Sequence, residues 1–250
     1  MTITGSWSTI EVEVDGAVAH LRLNRPESNN AVTTTMVVEV HEALEQLSQE
    51  PAVAVVALTG NGRSFCPGAD LRGGGSSERR EPPELPELVT YHSARLLHEM
   101  PQITVALVNG GCAGAGMAWA SACDLRVASS AARFSTAFLE VGLAGELGLA
   151  WTLQRSLGGA LARDLMLLPR KLTADELHVM GFVQRVFPAE TFREDAAALV
   201  ASLAARGERA LRAMKANFVD AGRLPLGDYL DLESARHQAF FTDGPPPRRP

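Results

Sequence analysis

Two short stretches of this chain place small residues where chemistry could use them. Ser64-Phe65-Cys66-Pro67-Gly68-Ala69-Asp70-Leu71 follows an apolar run at residues 53–58. Val108-Asn109-Gly110-Gly111-Cys112-Ala113-Gly114-Ala115-Gly116 follows a second run at residues 103–108. Glycine and alanine at a strand end let a ligand approach the backbone and leave N–H groups free to donate. Two such amides converging on one oxygen form an oxyanion hole, which stabilises negative charge as it develops. The same composition suits two tight turns that pack a helix close to a strand, and the residues alone leave both readings open. Other catalytic patterns fail. Gly114-Ala115-Gly116 runs on to Trp119 where a dinucleotide fingerprint needs its third glycine, and Arg133 stands where an acidic ribose ligand would be sought. Lys171 and Lys215 do not follow a glycine, so there is no phosphate-binding Walker loop. His41-Glu42 has no second histidine four residues on, and no G-x-S-x-G elbow occurs.

These stretches must be positioned by regular elements, and the periodicity supplies them. Residues 8–23 alternate apolar and polar about Asp15-Gly16, which predicts a hairpin. Val37, Val40, Leu44 and Leu47 recur at helical spacing over residues 33–48, with residues 33–35 as cap candidates. The runs at 53–58 and 103–108 read as strands covered on both faces. Residues 72–86, with three glycines, two serines, charges and Pro82-Pro83, predict a mobile surface loop inside one domain. Residues 88–100 and 117–123 read as helices, 125–128 as a short strand, and 147–157 and 160–168 as helices. From Pro188 the pattern is helical only, over 190–205, 208–221 and 226–241, before a Pro/Arg-rich end at 244–250 expected to fray. Strand–helix units followed by helices predict an α/β body with a helical appendage, divided at 1–188 and 189–250.

Composition narrows the function classes. The 250 residues are 46% hydrophobic and 21% charged, the balance of a globular chain able to bury one sizeable core. A formal net charge of −6 and scattered arginines give no footprint for nucleic acid. No apolar run approaches the roughly 18 residues of a membrane span, and the start Met1 to Trp7 lacks the basic and apolar regions of a secretory signal. A cytoplasmic location is the expectation. Cys66, Cys112 and Cys123 form an odd set without C-x-x-C spacing, which favours neither a disulfide framework nor zinc.

Read in order, the motifs resemble the enoyl-CoA hydratase/isomerase (crotonase) family. The resemblance is carried by Asn24-Arg25-Pro26-Glu27, Asn30-Ala31, Phe65 to Leu71, Asn109-Gly110 and Cys123-Asp124-Leu125-Arg126-Val127-Ala128. Phe134 to Ala137, Val141-Gly142-Leu143 and Leu172 to Glu176 continue it, so that it spans roughly residues 11–241. It implies a spiral of ββα turns, a C-terminal helical trimerisation region, a homotrimer or hexamer, and acyl-CoA thioester substrates. No metal or redox cofactor is implied; coenzyme A comes with the substrate. Carried over by position, the oxyanion-hole amides fall on Ala69 and Ala115. Arg25, Ala31, Gly68, Asp70, Leu71, Gly114 and Phe138 fall along the substrate channel, Arg25 near the CoA phosphates.

The departures from the family pattern say more. Typical hydratases carry two glutamates that orient water and deliver the proton; Ala118 and Phe138 stand at those positions here. Glu146 occupies the position that resembles the catalytic aspartate of dienoyl-CoA isomerases, of isomerases in phenylacetate breakdown and of an aryl-CoA dehalogenase. One carboxylate suffices to shuttle a proton between the α and γ carbons of a thioester dienolate, and an apolar pocket would raise its pKa for that task. Double-bond isomerisation is therefore favoured over hydration. The plainer alternative makes Glu146 an exposed glutamate in the first turn of the 147–157 helix. Glu140 is a lesser candidate, expected to face solvent. With both hydratase acids gone, a non-catalytic acyl-CoA-binding or scaffold protein of the same fold is the competing function. Asp70 is expected to cap a following helix, Asp124 to anchor a turn, and Trp119 and Trp151 to serve packing. His92 and His98 are expected as ordinary helix-face residues.

Overall fold

The computed structural model describes residue 3, residues 5–70 and residues 85–242. It opens with the antiparallel hairpin of β1 (Ile10–Asp15) and β2 (Val18–Leu23), turned at Gly16 with φ of 56°. Helix α1 (Thr34–Ser48) follows, and the Thr33 side chain caps it by accepting from the Met36 N–H. The chain then alternates long and short strands. β3 (Val55–Gly60), β5 (Ile103–Val108) and β7 (Leu125–Ser129) join β2 in parallel within a six-stranded sheet. After each comes a three-residue strand: β4 (Ser64–Cys66), β6 (Gly111–Ala113) and β8 (Arg133–Ser135). These pair with one another, and with β9 (Leu172–Thr173), in a second sheet of order β4-β6-β8-β9. β10 (Arg185–Phe187) closes the large sheet beside β7.

Helices fill the turns of this spiral. Residues 88–100 form a 3₁₀ turn, Leu88–His92, running into α2 (Ser93–Glu99). α3 (Ala115–Ala122) follows β6, and α4 (Leu149–Leu157), α5 (Gly159–Leu167) and α6 (Ala174–Val179) lie between β8 and β10. The central strands are buried on both faces, as their unbroken apolar runs require. Val56, Leu58, Ala106 and Val108 face α1, α2 and α3, while Val55, Ala57, Val105 and Leu107 face the opposite side. There α7 (Phe192–Ala204) and α8 (Glu208–Ala221) cover the sheet with Phe192, Ala196, Val200 and Leu211. α9 (Leu226–Thr242) packs on α8 and buries none of its own residues.

One buried ion pair ties α8 to the body. Lys215 is 1% exposed, and its Nζ donates to Asp124 Oδ2 at 2.8 Å and to the Leu97 carbonyl at 2.8 Å. The same carboxylate oxygen accepts from the Thr104 N–H at 2.7 Å. Asp124 thus does more than anchor a turn. Trp119 is fully buried and donates to Ser93 Oγ at 3.0 Å, as a packing residue should. Trp151 departs from the expectation: it is 46% exposed, with the Arg155 guanidinium 3.5 Å above its ring and His98 against its edge. The loop expected at 72–86 lies almost wholly outside the described residues, as do Leu71 and the terminal 244–250.

Candidate active site

The two small-residue stretches meet in space. β4 and β6 run side by side with Cys66 opposite Cys112, so the turns that leave them are neighbours. They touch at glycines: a Cβ on Gly68 would come within 3.5 Å of Gly114 Cα, and one on Gly114 within 3.4 Å of Gly68 Cα. Both have φ that side chains rarely adopt, 98° and 52°. Gly116 is required for a different reason, because a Cβ there would run into the Cys66 carbonyl oxygen.

Ala69 and Ala115 stand one residue beyond the touching glycines. The Gly68 carbonyl accepts from the Val32 N–H at 2.8 Å, and the Asp70 N–H donates to the Val32 carbonyl at 2.9 Å. Ala69 is thereby pinned on both sides, and its own N–H is given no backbone acceptor among the described residues. Ala115 is the first residue of α3, where an amide has no partner within the helix. Two free amides, one on each of two touching turns, are the arrangement an oxyanion hole needs.

The residue that separates them from Glu146 is Phe138. Its ring lies 3.9 Å from the Cβ position of Gly114 on one side and of Gly145 on the other. Phe138 is 5% exposed and opens the 3₁₀ turn Phe138–Val141, entered through Ala137 at a φ of 57°. Ala118, at the other hydratase position, is wholly buried. No carboxylate stands at either place.

Glu146 itself lies before a helix rather than in one. α4 begins at Leu149 behind its cap Gly148, so the helix-start reading of Glu146 is corrected by two residues of irregular chain. Gly145, Leu147 and Gly148 all have positive φ, at 113°, 51° and 70°. Leu147 bears the strain of that conformation because its side chain is buried, 5% exposed. The result turns Glu146 partly inward, where burial raises its carboxyl above the ordinary carboxylate range. Burial raises the Cys66 thiol and the Tyr91 phenol, and the Glu146 charge adds to both shifts. Glu140 is exposed. Burial pushes the Cys66 thiol up to about 12, which leaves it inert as a nucleophile.

Two of the remaining site candidates are bound to each other. Arg25 is neither an exposed arginine nor free to extend: its guanidinium grips Asp70 and donates to the Ala31 carbonyl at 2.6 Å. Asp70 is therefore the partner of Arg25, while any helix after it lies outside the described residues. Tyr91 carried no motif and escaped sequence reasoning; its place is set by the packing of the Leu88–His92 turn on α1 and α2. It lines a cavity of about 340 Å³ with Ala94, His98, Leu147, Gly148 and Trp151. Among the described residues no group of three His, Cys, Asp or Glu is placed to hold a metal, and no helix is long and apolar enough to cross a membrane.

The spiral of strands and helices defines an α/β fold of the crotonase type. The chain belongs to the enoyl-CoA hydratase/isomerase family, whose model matches residues 13–244. It is 38% identical over 194 residues to a Mycobacterium tuberculosis protein named "Probable enoyl-CoA hydratase", covering 75% of this chain and 68% of that one. It is 34% identical over 223 residues to the 1,2-epoxyphenylacetyl-CoA isomerase of Escherichia coli, covering 88% and 85%. A Thermobifida fusca chain solved in complex with acetoacetyl-CoA superposes with a TM-score of 0.84 at 26% identity, over 94% and 95% of the two chains. The protein is thus an acyl-CoA enzyme of this family.

Proposed function

We propose that the enzyme isomerises a double bond in an acyl-CoA thioester, with Glu146 as its single acid and base. The observation that carries this reading is the half-buried Glu146, its carboxyl raised by burial, in a chain that holds Ala118 and Phe138 where the resemblance expects the two hydratase acids. The Ala69 and Ala115 amides hold the thioester oxygen. Glu146 takes a proton from the α or γ carbon, the electrons pass to that oxygen, and the two amides stabilise the enolate. The protonated Glu146 then returns the proton at the other end of the conjugated system. The carboxyl ends as it began, and no electron leaves the substrate, so the reaction calls for no metal or redox cofactor. A raised carboxyl pKa suits this cycle, since the group must both take and give the proton near neutral pH. The E. coli relative's name, an isomerase, supports the same class of outcome.

The alternative, an acyl-CoA-binding protein without turnover, has no use for a strained segment that turns an acid inward at the cost of its desolvation. Glu146→Gln is the test, on a panel of enoyl- and dienoyl-CoAs followed spectroscopically. Isomerisation falls by about 10²–10⁴ while acyl-CoA affinity measured by calorimetry holds. Undiminished turnover removes Glu146 from the mechanism. We further read α9 as an oligomer contact, because it leaves Leu226, Leu230 and Phe241 exposed. A mass in solution equal to one 26.7 kDa chain would refute a trimer or hexamer.

A further inference from the structure

Outside glycine and asparagine, the described residues with positive φ are Ala137 at 57° and Leu147 at 51°. They bracket one segment, whose first residue is Phe138 and whose last is Glu146. A residue with a Cβ is strained in that conformation, which persists only where the surroundings over-determine it. The surroundings do so here. The Phe138 N–H donates to the Thr136 carbonyl at 2.7 Å, and the Phe138 carbonyl accepts from the Leu143 N–H at 2.9 Å. The Thr136 hydroxyl donates to the Leu165 carbonyl, near the end of α5, at 2.7 Å. Met166, the next residue of α5, meets the far end of the segment, its methyl 3.5 Å from the Cβ position of Gly145.

The Phe138 ring joins this segment to the oxyanion turn. Its Cζ and Cε1 lie 3.9 and 4.0 Å from the Cβ position of Gly114, and its Cδ2 lies 3.9 Å from that of Gly145. Cε1 and Cδ2 stand opposite each other across the ring, so the ring is interposed between the two glycines and meets backbone on both sides. Gly114 directly precedes Ala115, and Gly145 directly precedes Glu146. The Gly114 N–H also donates to the Ser135 carbonyl at 3.2 Å, which ties the oxyanion turn to the strand that leads into Phe138.

We propose that Phe138 is a positioning residue: its ring, wedged between Gly114 and Gly145, sets the spacing between the Ala115 amide and the segment that carries Glu146. The inference rests on the reading of Glu146 as acid and base, and adds the group that fixes its distance from the oxyanion hole. A proton shuttle needs that distance, because the thioester oxygen and the carbon that loses the proton belong to one conjugated, rigid unit. A displacement of about 1 Å at either end costs roughly 10²-fold in rate. A flat ring suits the task because it keeps its width, whereas an unbranched chain shortens by bond rotation. At 5% exposure the ring offers a substrate little surface, so it acts on the protein's own backbone.

The test is a double-mutant cycle, run on the best acyl-CoA substrate of the panel. Phe138→Leu keeps an apolar side chain but loses the far edge of the ring. Its kcat falls by about 10- to 100-fold, while KM stays within about two-fold of wild type. In Glu146→Gln no base is left to aim, so adding Phe138→Leu lowers the residual rate by less than about three-fold. Equal losses in the two backgrounds, or a raised KM with kcat unmoved, assign the ring to packing or to substrate and overturn the proposal. So does a changed order of preference among acyl-CoAs. If Phe138→Leu does not fold, as circular dichroism would show, Phe138→Met takes its place in the cycle and is read by the same signs. Full activity in Glu146→Gln strikes the acid/base reading and this inference with it. A slow Glu146→Gln beside an unimpaired Phe138→Leu strikes this inference alone.

Discussion

Both terminal nitrogens of Arg25 lie 3.1 Å from one oxygen of Asp70, and the pair fastens the end of β2 to the turn that presents Ala69. Each side chain is about one-fifth exposed, so the contact is sheltered from salt more than a surface pair is. Forty-five residues of chain separate the partners. With Val32 bonded on both sides of Ala69, the pair makes the turn a fixed object before substrate arrives. An oxyanion donor is useful only when fixed in advance, because a donor that must reorganise spends part of its stabilisation on its own movement.

Arg25→Met should therefore act on kcat. Loosening the turn displaces the Ala69 amide by a fraction of an ångström, and turnover should fall by roughly 10- to 100-fold with KM nearly unchanged. An arginine that bound the CoA phosphates would give the opposite pattern, a raised KM whose wild-type value depends on salt. Steady-state kinetics at two ionic strengths separates them, and a pure, salt-dependent KM effect would refute the bracing role.

Ala115→Pro isolates the other amide. Position 115 is the first residue of α3, where proline is tolerated because its N–H has no helical partner to lose. The substitution removes the one donor while keeping an apolar residue. A drop in kcat of about 10²–10³ is expected with the circular dichroism spectrum retained. Ala115→Gly, which keeps the amide, should stay within a few-fold of wild type. Equal losses in both variants would mean that packing at Ala115, not its N–H, matters.

Much of this was legible in the residues, and the exceptions share a physical cause. The hairpin at Asp15-Gly16, the Thr33 cap and the doubly covered strands follow from patterns within a dozen residues. β4, β6 and β8 have three residues each and β9 has two, too few for a period-2 pattern to show, so the second sheet was invisible. Thr173 and Glu176 form a capping box that marked α6, which the sequence reading passed over. The helix expected from residue 147 starts only at Leu149, and nothing local announces that Leu147, a good helix former, takes φ of 51°. Asp70 owes its role to Arg25, a partner brought to it by the fold.

Glu146 should cost the fold stability at neutral pH. Burial raises its pKa in the folded state above that of the unfolded chain, so between those two values the native protein holds more protons. Stability therefore falls as pH rises through that window, and the whole cost is present above the folded pKa. Glu146→Gln removes the ionisation. The variant should melt higher than wild type at pH 7–8, and the gap should narrow as pH falls toward about 4.3, the ordinary glutamate value. A variant that melts lower at neutral pH would show that the ionised carboxylate is stabilised by its surroundings.

Lys215 offers a test of how the C-terminal helices are held. Lys215→Met leaves Asp124 without its cation but still accepting from Thr104. Removing one partner of a buried pair costs about 3–5 kcal/mol, and the lower end applies because Asp124 is 22% exposed. For a chain of this size the melting temperature should drop by roughly 6–12 °C. Adding Asp124→Asn should recover part of the loss, since the stranded charge goes with it. A double variant that merely sums two losses would mean that the two side chains are not coupled.

The sharpest consequence concerns a reaction that should not happen. Adding water to crotonyl-CoA requires an oriented nucleophile on one face of the double bond and a proton on the adjacent carbon. Two carboxylates perform those tasks where they are present, and here Ala118 and Phe138 occupy their positions, both buried and neither able to hold a water or move a proton. The Phe138 ring packs between Gly114 and Gly145, so the position holds an apolar ring and no acid. Glu146 cannot replace both groups, because one acid gives back the proton it took and does not also activate a second nucleophile. Hydration should therefore run slower than isomerisation by at least the roughly 10²–10⁴ that a positioned acid–base group is worth. Loss of the conjugated enoyl-thioester absorbance reports hydration directly, and mass analysis detects the added water. Phe138→Glu should not restore it alone, since Ala118 still lacks its acid. Crotonyl-CoA hydration as fast as isomerisation of the best substrate on the panel would overturn the single-carboxylate site.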